Sequence, residues 1–467
     1  MNKRVENIYI KSPVCLQNVM CSIYGAKLYM ERYSNLWKKH FEYLMGTQFM
    51  SDEELKKIQI DSFKSILSHA VENVPYYQKN MGLKKPEIEA ISSMDILREL
   101  PILEKRILRE TPEMLMSKSY DRRKLVRINT SGTTGTPLTV YISADARKKN
   151  YAFFERSKQW AGINGFERSI TFAGRTIVPA EQKGPPYWRR NVLFNNTIFS
   201  SYHLSENTVE DYLKAIRVIK PVFIDSYPSS ISFIADQMIR TNNEGINVKA
   251  IITSAETLLD HQRRKIEKAF GCRVYDQYGS AEQVVFVCQC EKGNYHVNPE
   301  YGYLEVLDRN KQPVKTGELG EFVCTGFTNT AMPLIRYKIG DMGILSDRKC
   351  GCGRHFPVIE RIDGRDDDVL ITPEGRYIGR LDPIFKGVEN TIKESQIIQE
   401  KIDLIRILIV RGDGYQERHG EFIVKELEKR VGTALAHKIE YVDSIPRTKN
   451  GKYRAVICEV NKRQSLS

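Results

Sequence analysis

The stretch Arg127-Ile-Asn-Thr-Ser-Gly-Thr-Thr-Gly-Thr-Pro-Leu-Thr-Val-Tyr141 decides the fold, because it sets a hydroxyl-rich loop between two apolar arms. The arms, residues 125–128 and 138–142, are predicted to be β-strands. The loop can wrap an anion, since its glycines let backbone N–H groups approach and its hydroxyls add donors. It is not a Walker A loop, because Gly-x-x-x-x-Gly-Lys-Ser/Thr is absent. An ordinary turn is the alternative interpretation of this loop taken alone.

Composition describes a globular protein of two or three domains. The chain has 467 residues, of which 41% are hydrophobic and 10% aromatic, which excludes a disordered protein. Its formal charge of +13 comes from 71 Lys+Arg against 58 Asp+Glu. That excess suits phosphate-rich ligands, nucleic acid or an anionic membrane, and a solvated surface spread over a large protein explains it equally well.

The first thirty residues indicate neither export nor a membrane span. Residues 1–11 are polar and lack the apolar region of a signal peptide, and the nine cysteines are an odd number. We therefore expect a reducing compartment, the cytoplasm. Residues 12–30 predict an amphipathic helix that either packs on the main domain or touches a membrane surface. The positive charges for a membrane would be Lys27, Arg32, Lys38 and Lys39.

The order of predicted elements indicates an α/β protein. Residues 1–120 are predicted to be mostly helical, with a capping box at 51–54. Strands and helices alternate over 143–277, which indicates βαβ units and parallel sheet. From Tyr301 short strands predict an antiparallel subdomain, and the acidic, glycine-containing stretch 362–368 is the best linker. The prediction is a large N-terminal domain, 1–364, with mixed, largely parallel sheets plus a small β subdomain. A small mobile α+β C-terminal domain, 365–467, follows.

Cysteine and histidine residues cluster in the second half of the chain. Cys288 and Cys290 precede His296, and Cys350 and Cys352 follow. Cys-x-Cys pairs are looser than the usual Cys-x-x-Cys spacing, so zinc and free thiols both stay open on spacing alone. The glycines after Cys350 and Cys352 favour a tight turn that lets both sulfurs face one ion.

Six different short segments of the chain form one ordered set of motifs. In order, they are Thr-Ser-Gly-Thr-Thr-Gly-Thr-Pro (130–137), Thr-Ser-Ala-Glu (253–256), Tyr-Gly-Ser-Ala-Glu (278–282), Ile-Arg-Tyr-Lys-Ile-Gly-Asp (335–341), Gly-Arg-Asp-Asp (364–367) and Pro-Arg-Thr-Lys-Asn-Gly-Lys (446–452). Together they resemble the core motifs of the adenylate-forming (AMP-binding) superfamily, in its phenylacetate–CoA ligase family. Ser-Tyr-His-Leu-Ser (201–205) and Tyr-Pro-Ser-Ser (227–230) further resemble its capsule-biosynthesis branch. Each motif is weak singly, but six in the right order over nearly the whole chain are a strong signal.

The resemblance implies an ATP-dependent ligase that activates a carboxylic acid as an acyl-adenylate, releases pyrophosphate and transfers the acyl group to CoA. It implies that Glu282 is catalytic as the Mg²⁺ ligand and that Asp341 and Arg365 contact the ribose. Residues 254–256 would flank the adenine, and Tyr278 would stack on it or line the acyl pocket. The β- and γ-phosphates would be held by Ser131, Thr133, Thr134 and Thr136. The remaining ATP/AMP-binding residues would be Ser254, Ala255, Glu256, Asp276, Gln277, Tyr278, Gly279 and Ser280.

The resemblance also assigns the C-terminal and metal-binding residues. Lys452 would stabilise the transition state. The alternative is one more lysine in a basic tail, and the sequence around Lys452 argues against it. Asp367 would be the hinge between the two domains. Some family members carry a structural zinc at the cysteine-rich place. The zinc ligands would then be Cys290, His296, Cys350 and Cys352, with Cys288 spare.

One departure and three alternatives stay open. The family's Gly-Val-Asn-Val-Phe-Pro-like run is replaced here by Thr-Pro-Glu-Gly-Arg-Tyr-Ile-Gly-Arg (372–380), which puts CoA as the acceptor in doubt. A surface- or capsular-polysaccharide pathway ligase that forms an amide without CoA is the first alternative. A basic, zinc-containing nucleic-acid binder is disfavoured because no recognised module appears, so no nucleic-acid partner is expected. A scaffold-like relative without turnover is disfavoured by Glu282, Asp341 and Lys452. His203 is either a substrate contact or a packed histidine.

Overall fold

The structure is a computed structural model. It describes residues 3–130, 138–173, 177–179, 182–242, 245–365, 370–373, 377–378, 381–385, 388, 391–431, 435–447 and 453–460. Contacts divide the chain into two compact units. The first comprises Met1–Ser226, Gly245–Ala255 and Cys272–Arg361, and the second comprises Tyr227–Glu244, Glu256–Gly271 and Ile362–Ser467. No helix among the described residues is long and apolar enough to cross a membrane.

The N-terminal part is helical, as predicted. Its α-helices are α1 (Lys3–Lys11), α2 (Val14–Arg32), α3 (Asn35–Thr47), α4 (Asp52–Asn73), α5 (Pro75–Asn80), α6 (Lys85–Glu89) and α7 (Lys105–Glu110). Helix α4 begins at the predicted capping box, in which Ser51 and Glu54 satisfy each other's backbone N–H groups. The helix ends before Pro75, which opens the next helix at a position where a missing N–H costs nothing.

The arms of the hydroxyl loop are strands, as predicted. They are β1 (Val126–Thr130) and β2 (Leu138–Ile142), and they pair antiparallel with Thr130 opposite Leu138. Helix α8 (Ala144–Trp160) follows and is capped by the hydroxyl of Ser143. The loop itself, residues 131–137, lies outside the described residues.

The remaining strands of the first unit form one twelve-stranded sheet. In chain order the elements up to its parallel part are β3 (Ser169–Ala173), β4 (Trp188–Asn191), β5 (Asn196–Ser200), α9 (Val209–Ile219), β6 (Phe223–Ser226), α10 (Pro228–Arg240), β7 (Ala250–Ser254), α11 (Asp260–Phe270) and β8 (Val274–Gly279). The later strands are β9 (Phe286–Gln289), β10 (Tyr295–Val297), β11 (Gly302–Leu307), β12 (Leu319–Gly326), β13 (Tyr337–Ser346) and β14 (Val358–Arg365). Helices α10 and α11 belong to the second unit.

The middle of this sheet is parallel and both of its flanks are antiparallel, since β4 also pairs antiparallel with β5 at one edge. The order is β11-β12-β13-β14-β10-β9-β8-β7-β6-β3-β5-β4. Strands β5, β3, β6, β7 and β8 run parallel, whereas β8 and β9 pair antiparallel. The antiparallel strands expected after Tyr301 are therefore present and continue the same sheet. The predicted α/β fold class, with a mixed and partly parallel sheet, is confirmed.

The C-terminal part carries a separate four-stranded sheet. The elements of the C-terminal part are β15 (Leu370–Ile371), β16 (Tyr377–Ile378), β17 (Ile392–Lys401), β18 (Leu404–Arg411), α12 (Glu417–Val431), β19 (Ala436–Tyr441) and β20 (Val456–Cys458). The sheet order is β19-β18-β17-β20, and a core that includes Ile397, Ile407 and Leu427 lies against it. Helix α12 begins after Gly414, which takes φ +76°, outside the helical region. The boundary at 364/365 stays a prediction.

Candidate functional site

The carboxyl ends of two parallel strands bring several predicted residues together. Strands β7 and β8 are neighbours, with Ser254 opposite Gln277, so the segments that follow them leave the sheet at one edge. Ligands of α/β proteins bind at such an edge. Ala255 there has φ +71°, a left-handed conformation that costs a residue with a Cβ free energy. Backbone strain of this kind clusters at ligand sites.

Two of the predicted residues on β8 use their side chains within the protein. Both carboxylate oxygens of buried Asp276 accept hydrogen bonds, from the Thr253 hydroxyl at 2.6 Å and the Tyr295 hydroxyl at 2.7 Å. The Gln277 amide donates to the Ser157 hydroxyl at 2.5 Å. These bonds fix the strand end, and side-chain contact of either residue with a nucleotide stays a prediction.

Two tyrosines each hold one predicted active-site carboxylate. The Tyr337 hydroxyl donates to Glu282 Oε1 across 3.2 Å, and the Tyr278 hydroxyl donates to Asp341 Oδ2 across 2.6 Å. Glu282 is 5% exposed, so one of the two carboxylates is held in a largely dry place. We call these contacts the tyrosine–carboxylate pairs.

Electrostatics keep both phenols protonated. Burial, and then the negative charge of Asp341, raise the pKa of Tyr278 well above its ordinary value. Burial, and then the charge of Glu282, raise the pKa of Tyr337 in the same direction. Each hydroxyl is therefore a permanent donor to its carboxylate at neutral pH.

A β-bulge aims Asp341 out of the ladder. Glu321 pairs with Met342 and Val323 with Lys338, so Phe322 alone faces the three residues between Lys338 and Met342. Gly340, one of the three, takes φ +78°, where a residue with a Cβ would be strained. The glycine of the Gly-Asp motif thus permits the turn that presents the carboxylate.

An unsatisfied hydroxyl lies in the same loop as Glu282. The Ser280 Oγ atom is buried and has no hydrogen-bond partner among the described residues. Native proteins rarely leave a buried hydroxyl unpaired, so a ligand oxygen is a natural partner. Gly279 beside it is exposed, which leaves room for one.

Sequence reasoning missed two residues near this site. One is Tyr337, which lies inside a quoted motif, although its contact with Glu282 joins residues 55 positions apart. The other is Arg109 of α7, whose positive charge opposes the rise in the pKa of Tyr337. The Arg109 Nε atom is buried without a partner in the described part of the chain. Nothing in the spacing of Lys105–Glu110 indicates this placement.

Within the second unit, Glu256 contacts the residue that follows the predicted catalytic lysine. Its carboxylate accepts from the backbone N–H of Tyr453 at 2.8 Å, and from the backbone and hydroxyl of Ser229 at 3.0 and 3.1 Å. Burial raises the pKa of Glu256, against the lowering effect of these donors. The side chain therefore acts as an acceptor for the chain just after residue 452.

The two residues that flank segment 448–452, which contains Lys452, are both bonded to β17. Arg447 pairs with Glu394, and the Tyr453 hydroxyl donates to the Ser395 carbonyl. The Arg447 guanidinium also lies over the Tyr453 ring, 4.8 Å from its centroid. The two residues on either side of 448–452 thus contact each other.

Several predicted residues are beyond what the structure describes. The phosphate-loop residues Ser131, Thr133, Thr134 and Thr136, the hinge Asp367, the predicted catalytic Lys452 and the side chain of Arg365 lie outside the described residues. In the departing run 372–380, β16 is described and pairs with β15 as a short hairpin. The roles of all these residues stay predictions.

His203 is a packed histidine. Its Nδ1 lies 2.8 Å from the Ser200 hydroxyl and its Nε2 lies 3.1 Å from the Pro179 carbonyl. The ring stacks on Tyr187 with centroids 5.4 Å apart. Both ring nitrogens are thus occupied by the protein.

The four cysteine and histidine residues proposed as zinc ligands converge. One potential ligand atom from each of Cys290, His296, Cys350 and Cys352 lies within 4.8 Å of all the others. The Cys290 and Cys350 sulfurs are 3.6 Å apart, and Cys352 Sγ is 3.5 Å from His296 Nε2. A tetrahedral zinc site with Zn–S of about 2.3 Å has ligand–ligand edges of about 3.8 Å. We call this group the Cys/His cluster.

The surroundings of the Cys/His cluster suit a metal. His296 Nδ1 lies 3.2 Å from the Phe356 carbonyl, which orients Nε2 inward. Burial lowers the pKa of His296 to about 4, so the ring is neutral, as a ligand must be. The Asn294 amide donates to the Cys350 sulfur at 3.1 Å. Cys288 lies outside the group, buried and 3.6 Å from the Asn298 amide, in agreement with its assignment as the spare cysteine.

Comparison with known proteins agrees with this architecture. A family model described as the CapK C-terminal domain matches residues 370–459. The chain is 30% identical over 460 residues to Protein CapK of Staphylococcus aureus, covering 96% of this chain and 98% of that protein. It is 22% identical over 455 residues to the phenylacetate-coenzyme A ligase of Thermus thermophilus, covering 87% and 96% of the two chains.

Solved structures show the same fold. A crystal structure of 2-hydroxyisobutyryl-CoA ligase in the postadenylation state matches with a TM-score of 0.70, covering 90% of this chain and 93% of that one. The sequence identity is 19%, so this match supports the fold and does not assign a substrate.

Proposed function

The chain belongs to the adenylate-forming (AMP-binding) ligases, in the phenylacetate–CoA ligase-like CapK branch, and on that premise we propose that it activates a carboxylic acid with ATP and transfers the acyl group to CoA. The tyrosine–carboxylate pairs carry the proposal. They hold Glu282 and Asp341 beside the carboxyl ends of β7 and β8, with the unpaired Ser280 hydroxyl in the same loop. These are groups that a nucleotide and its metal ion require.

The first step is an in-line substitution at phosphorus. A carboxylate oxygen of the acid attacks the α-phosphorus of ATP, and the bond to the bridging oxygen of the β-phosphate breaks. The products are an acyl-adenylate and pyrophosphate. This step depends on positioning and charge neutralisation more than on proton transfer.

This chain's residues would position the nucleotide. Asp341 would accept hydrogen bonds from the ribose hydroxyls, with Arg365 as a further contact, and the Ser280 hydroxyl would donate to a phosphate oxygen. Glu282 would hold Mg²⁺, whose chemistry is to neutralise phosphate charge, and a carboxylate oxygen fits that hard ion. The Tyr337 hydroxyl would fix the orientation of the Glu282 carboxylate.

Lys452 would add positive charge to the transition state. Its neighbour in the sequence, Tyr453, is attached to Glu256 and to β17. In the second step the acceptor thiol, which has given its proton to solvent, attacks the acyl carbon as a thiolate. The bond from that carbon to the phosphate oxygen breaks, and AMP leaves with the bonding electron pair.

The Cys/His cluster would hold a structural zinc. Four protein ligands fill a tetrahedral site and leave no open position for substrate. Its proposed effect is on stability, because it would tie the turn that carries Cys350 and Cys352 to β9 and β10.

The test of the first step is pyrophosphate release with Mg·ATP and hydroxylamine across aryl, fatty, amino and uronic acids. We expect release with one class of acid, and loss of that release in Lys452→Ala but not in the control Lys401→Ala, an exposed lysine at the end of β17. ATP binding without release for any acid would contradict the proposed substrate classes, and failure to bind ATP would contradict the function itself.

A second assay assigns the acceptor. The departing run 372–380 is the observation that favours an amine acceptor as the alternative to CoA. With the activated acid identified, CoA and a series of amines compete for the acyl-adenylate, and the product is identified by mass. A thioester product supports the proposal, and an amide product in the presence of CoA would replace it with the amide-forming alternative.

A further inference from the structure

Both carboxylate oxygens of Glu256 are occupied by the protein. Oε1 accepts from the backbone N–H of Tyr453 at 2.8 Å and from the Ser229 hydroxyl at 3.1 Å. Oε2 accepts from the backbone N–H of Ser229 at 3.0 Å. Hydrogen bonds to an ionised carboxylate are roughly twice as strong as those between neutral groups. All three residues lie in the second compact unit. We call this set of bonds the Glu256 latch.

One side of the Glu256 latch is the start of a helix. Ser229 is the second residue of α10, after Pro228, so its N–H has no acceptor within the helix. Tyr227, the residue before the helix, makes no capping hydrogen bond with its side chain. The Glu256 carboxylate therefore caps α10 from a distance, and the positive end of the helix dipole stabilises its charge.

The other side of the Glu256 latch is a residue near the end of the chain. The Tyr453 hydroxyl donates to the Ser395 carbonyl on β17, and the Arg447 guanidinium lies over the Tyr453 ring, 4.8 Å from its centroid. These contacts hold the side chain of Tyr453 on the C-terminal sheet. The bond from its backbone N–H to Glu256 adds an attachment to a segment 197 positions earlier in the chain.

The bonds of the Glu256 latch change the expectation for this residue. The family resemblance implies that residues 254–256 flank the adenine. Because the Glu256 side chain is bound to Ser229 and Tyr453, that role falls to the backbone of the segment. The preceding residue, Ala255, takes φ +71°, and backbone strain of this kind clusters at ligand sites. The backbone and the Glu256 side chain therefore have separable tasks.

We propose that Glu256 is a positioning residue for the first step of the reaction, and that it acts through the backbone of Tyr453 on the chain that carries Lys452. The proposal rests on the function proposed above and adds a residue to it. Tyr453 directly follows the predicted catalytic lysine in the sequence. The charge of that lysine is needed where phosphorus is attacked, whereas the second step takes place at the acyl carbon. The first step should therefore depend on the Glu256 latch more than the second.

The two steps, measured separately, test the proposal. With the acid that the wild type activates, kcat for pyrophosphate release should fall in Glu256→Ala on the order of 10- to 100-fold, the effect of losing a hydrogen bond to a charged group. The KM for ATP should stay unchanged. Transfer from chemically made acyl-adenylate to the acceptor should keep the wild-type rate.

Two further variants serve as rescue and control. Glu256→Gln keeps an oxygen that can accept from the Tyr453 N–H, so it should recover part of the rate of pyrophosphate release. Glu421→Ala, at an exposed glutamate of α12, should behave as the wild type. If thermal unfolding shows that Glu256→Ala does not fold, Ser229→Ala removes only the hydroxyl donor. It should give the same difference between the steps with a smaller loss.

Three kinetic results would overturn the proposal. A higher KM for ATP with kcat unchanged would make the Glu256 side chain a nucleotide contact. Equal losses in both steps would make its role structural only. Wild-type rates in both steps would show that the first step does not depend on the Glu256 latch.

Hydrogen exchange measures the Glu256 latch without turnover. The backbone N–H of Tyr453 should exchange faster in Glu256→Ala than in the wild type and in Glu421→Ala, because it loses its acceptor. Unchanged exchange at this N–H would overturn the latch itself. A wild type that shows the latch by exchange but binds no ATP would contradict the proposed function and the role of Glu256 in it, while the attachment would stand. The two failures are thus distinguishable.

Discussion

The tyrosine–carboxylate pairs and the Cys/His cluster occupy the same sheet, yet they are built differently. The cluster collects four potential ligand atoms within 4.8 Å of one another. In the pairs, each carboxylate is held by one phenol from a distant part of the chain, at 2.6 and 3.2 Å. The Cys/His cluster is complete once an ion binds, whereas the tyrosine–carboxylate pairs orient single groups for a ligand. We therefore expect damage to the cluster to lower stability and damage to the pairs to lower turnover.

The largest effect should come from Glu282→Gln. Loss of the carboxylate charge should lower kcat/KM for pyrophosphate release by about 10²–10³, the loss typical of one transition-state stabilising group. The melting temperature should change little, because the amide keeps the shape of the side chain. Glu99→Gln, at an exposed position, is the matched control. Full activity of Glu282→Gln would remove this residue from the catalytic site.

Cys350→Ser should lower stability without lowering turnover, which would distinguish the Cys/His cluster from the tyrosine–carboxylate pairs. We expect loss of about one zinc per chain, measured by atomic emission, and a fall in melting temperature on the order of 5–10 °C. The protein that remains folded should keep its turnover rate. The exposed Cys15→Ser should change neither quantity. A variant that keeps its zinc and its stability would show that the cluster holds no metal through Cys350.

Tyr337→Phe should have a smaller effect on the same reaction. The change removes one hydrogen bond to a buried carboxylate and keeps the ring, so we expect about a tenfold loss in kcat/KM and a higher Mg²⁺ requirement. Tyr303→Phe, at a tyrosine of β11 outside the pairs, serves as the control. An unchanged Mg²⁺ dependence would argue that the hydroxyl does not orient Glu282.

The pH dependence of stability gives the smallest and most specific test. An unfolded chain loses its tyrosine protons near pH 10. The pKa of Tyr337 is raised in the folded protein, so above pH 10 the folded state binds one more proton and its stability falls as pH rises. Phenylalanine has no such proton. Wild-type stability in urea should therefore fall more steeply than that of Tyr337→Phe, by up to about 1.4 kcal/mol per pH unit. Parallel curves would show that the raised pKa is absent.

The sequence predicted those features that depend on neighbouring residues. The alternation of strands and helices predicted over 143–277 is confirmed, for example by the helix Ala144–Trp160 and the strand Ser169–Ala173. The membership of the Cys/His cluster came from the family resemblance, because spacing alone left zinc and free thiols open, and the structure brings the four assigned residues together. Strand β17 was missed, because its run Ile-Lys-Glu-Ser-Gln-Ile-Ile-Gln-Glu-Lys mixes charged and apolar residues without clean alternation.

Contacts that need the register of the sheet were out of reach. The bond between Tyr337 and Glu282 exists because β13 and the loop after β8 meet in space, and no spacing rule joins residues so far apart. The same holds for the continuation of the parallel strands into antiparallel ones at β9. Local pattern gives strands, whereas their order depends on which apolar faces are buried together.

The bonds that Arg447 and Tyr453 make with β17 close a loop at its base. Tyr453 is held through its backbone N–H as well as its hydroxyl, and it directly follows the predicted catalytic lysine in the sequence. Lengthening residues 448–451 would leave the bonds of Tyr453 in place. A loss of turnover in such a variant would therefore show that Lys452 depends on the length of its loop as well as on its anchored neighbour.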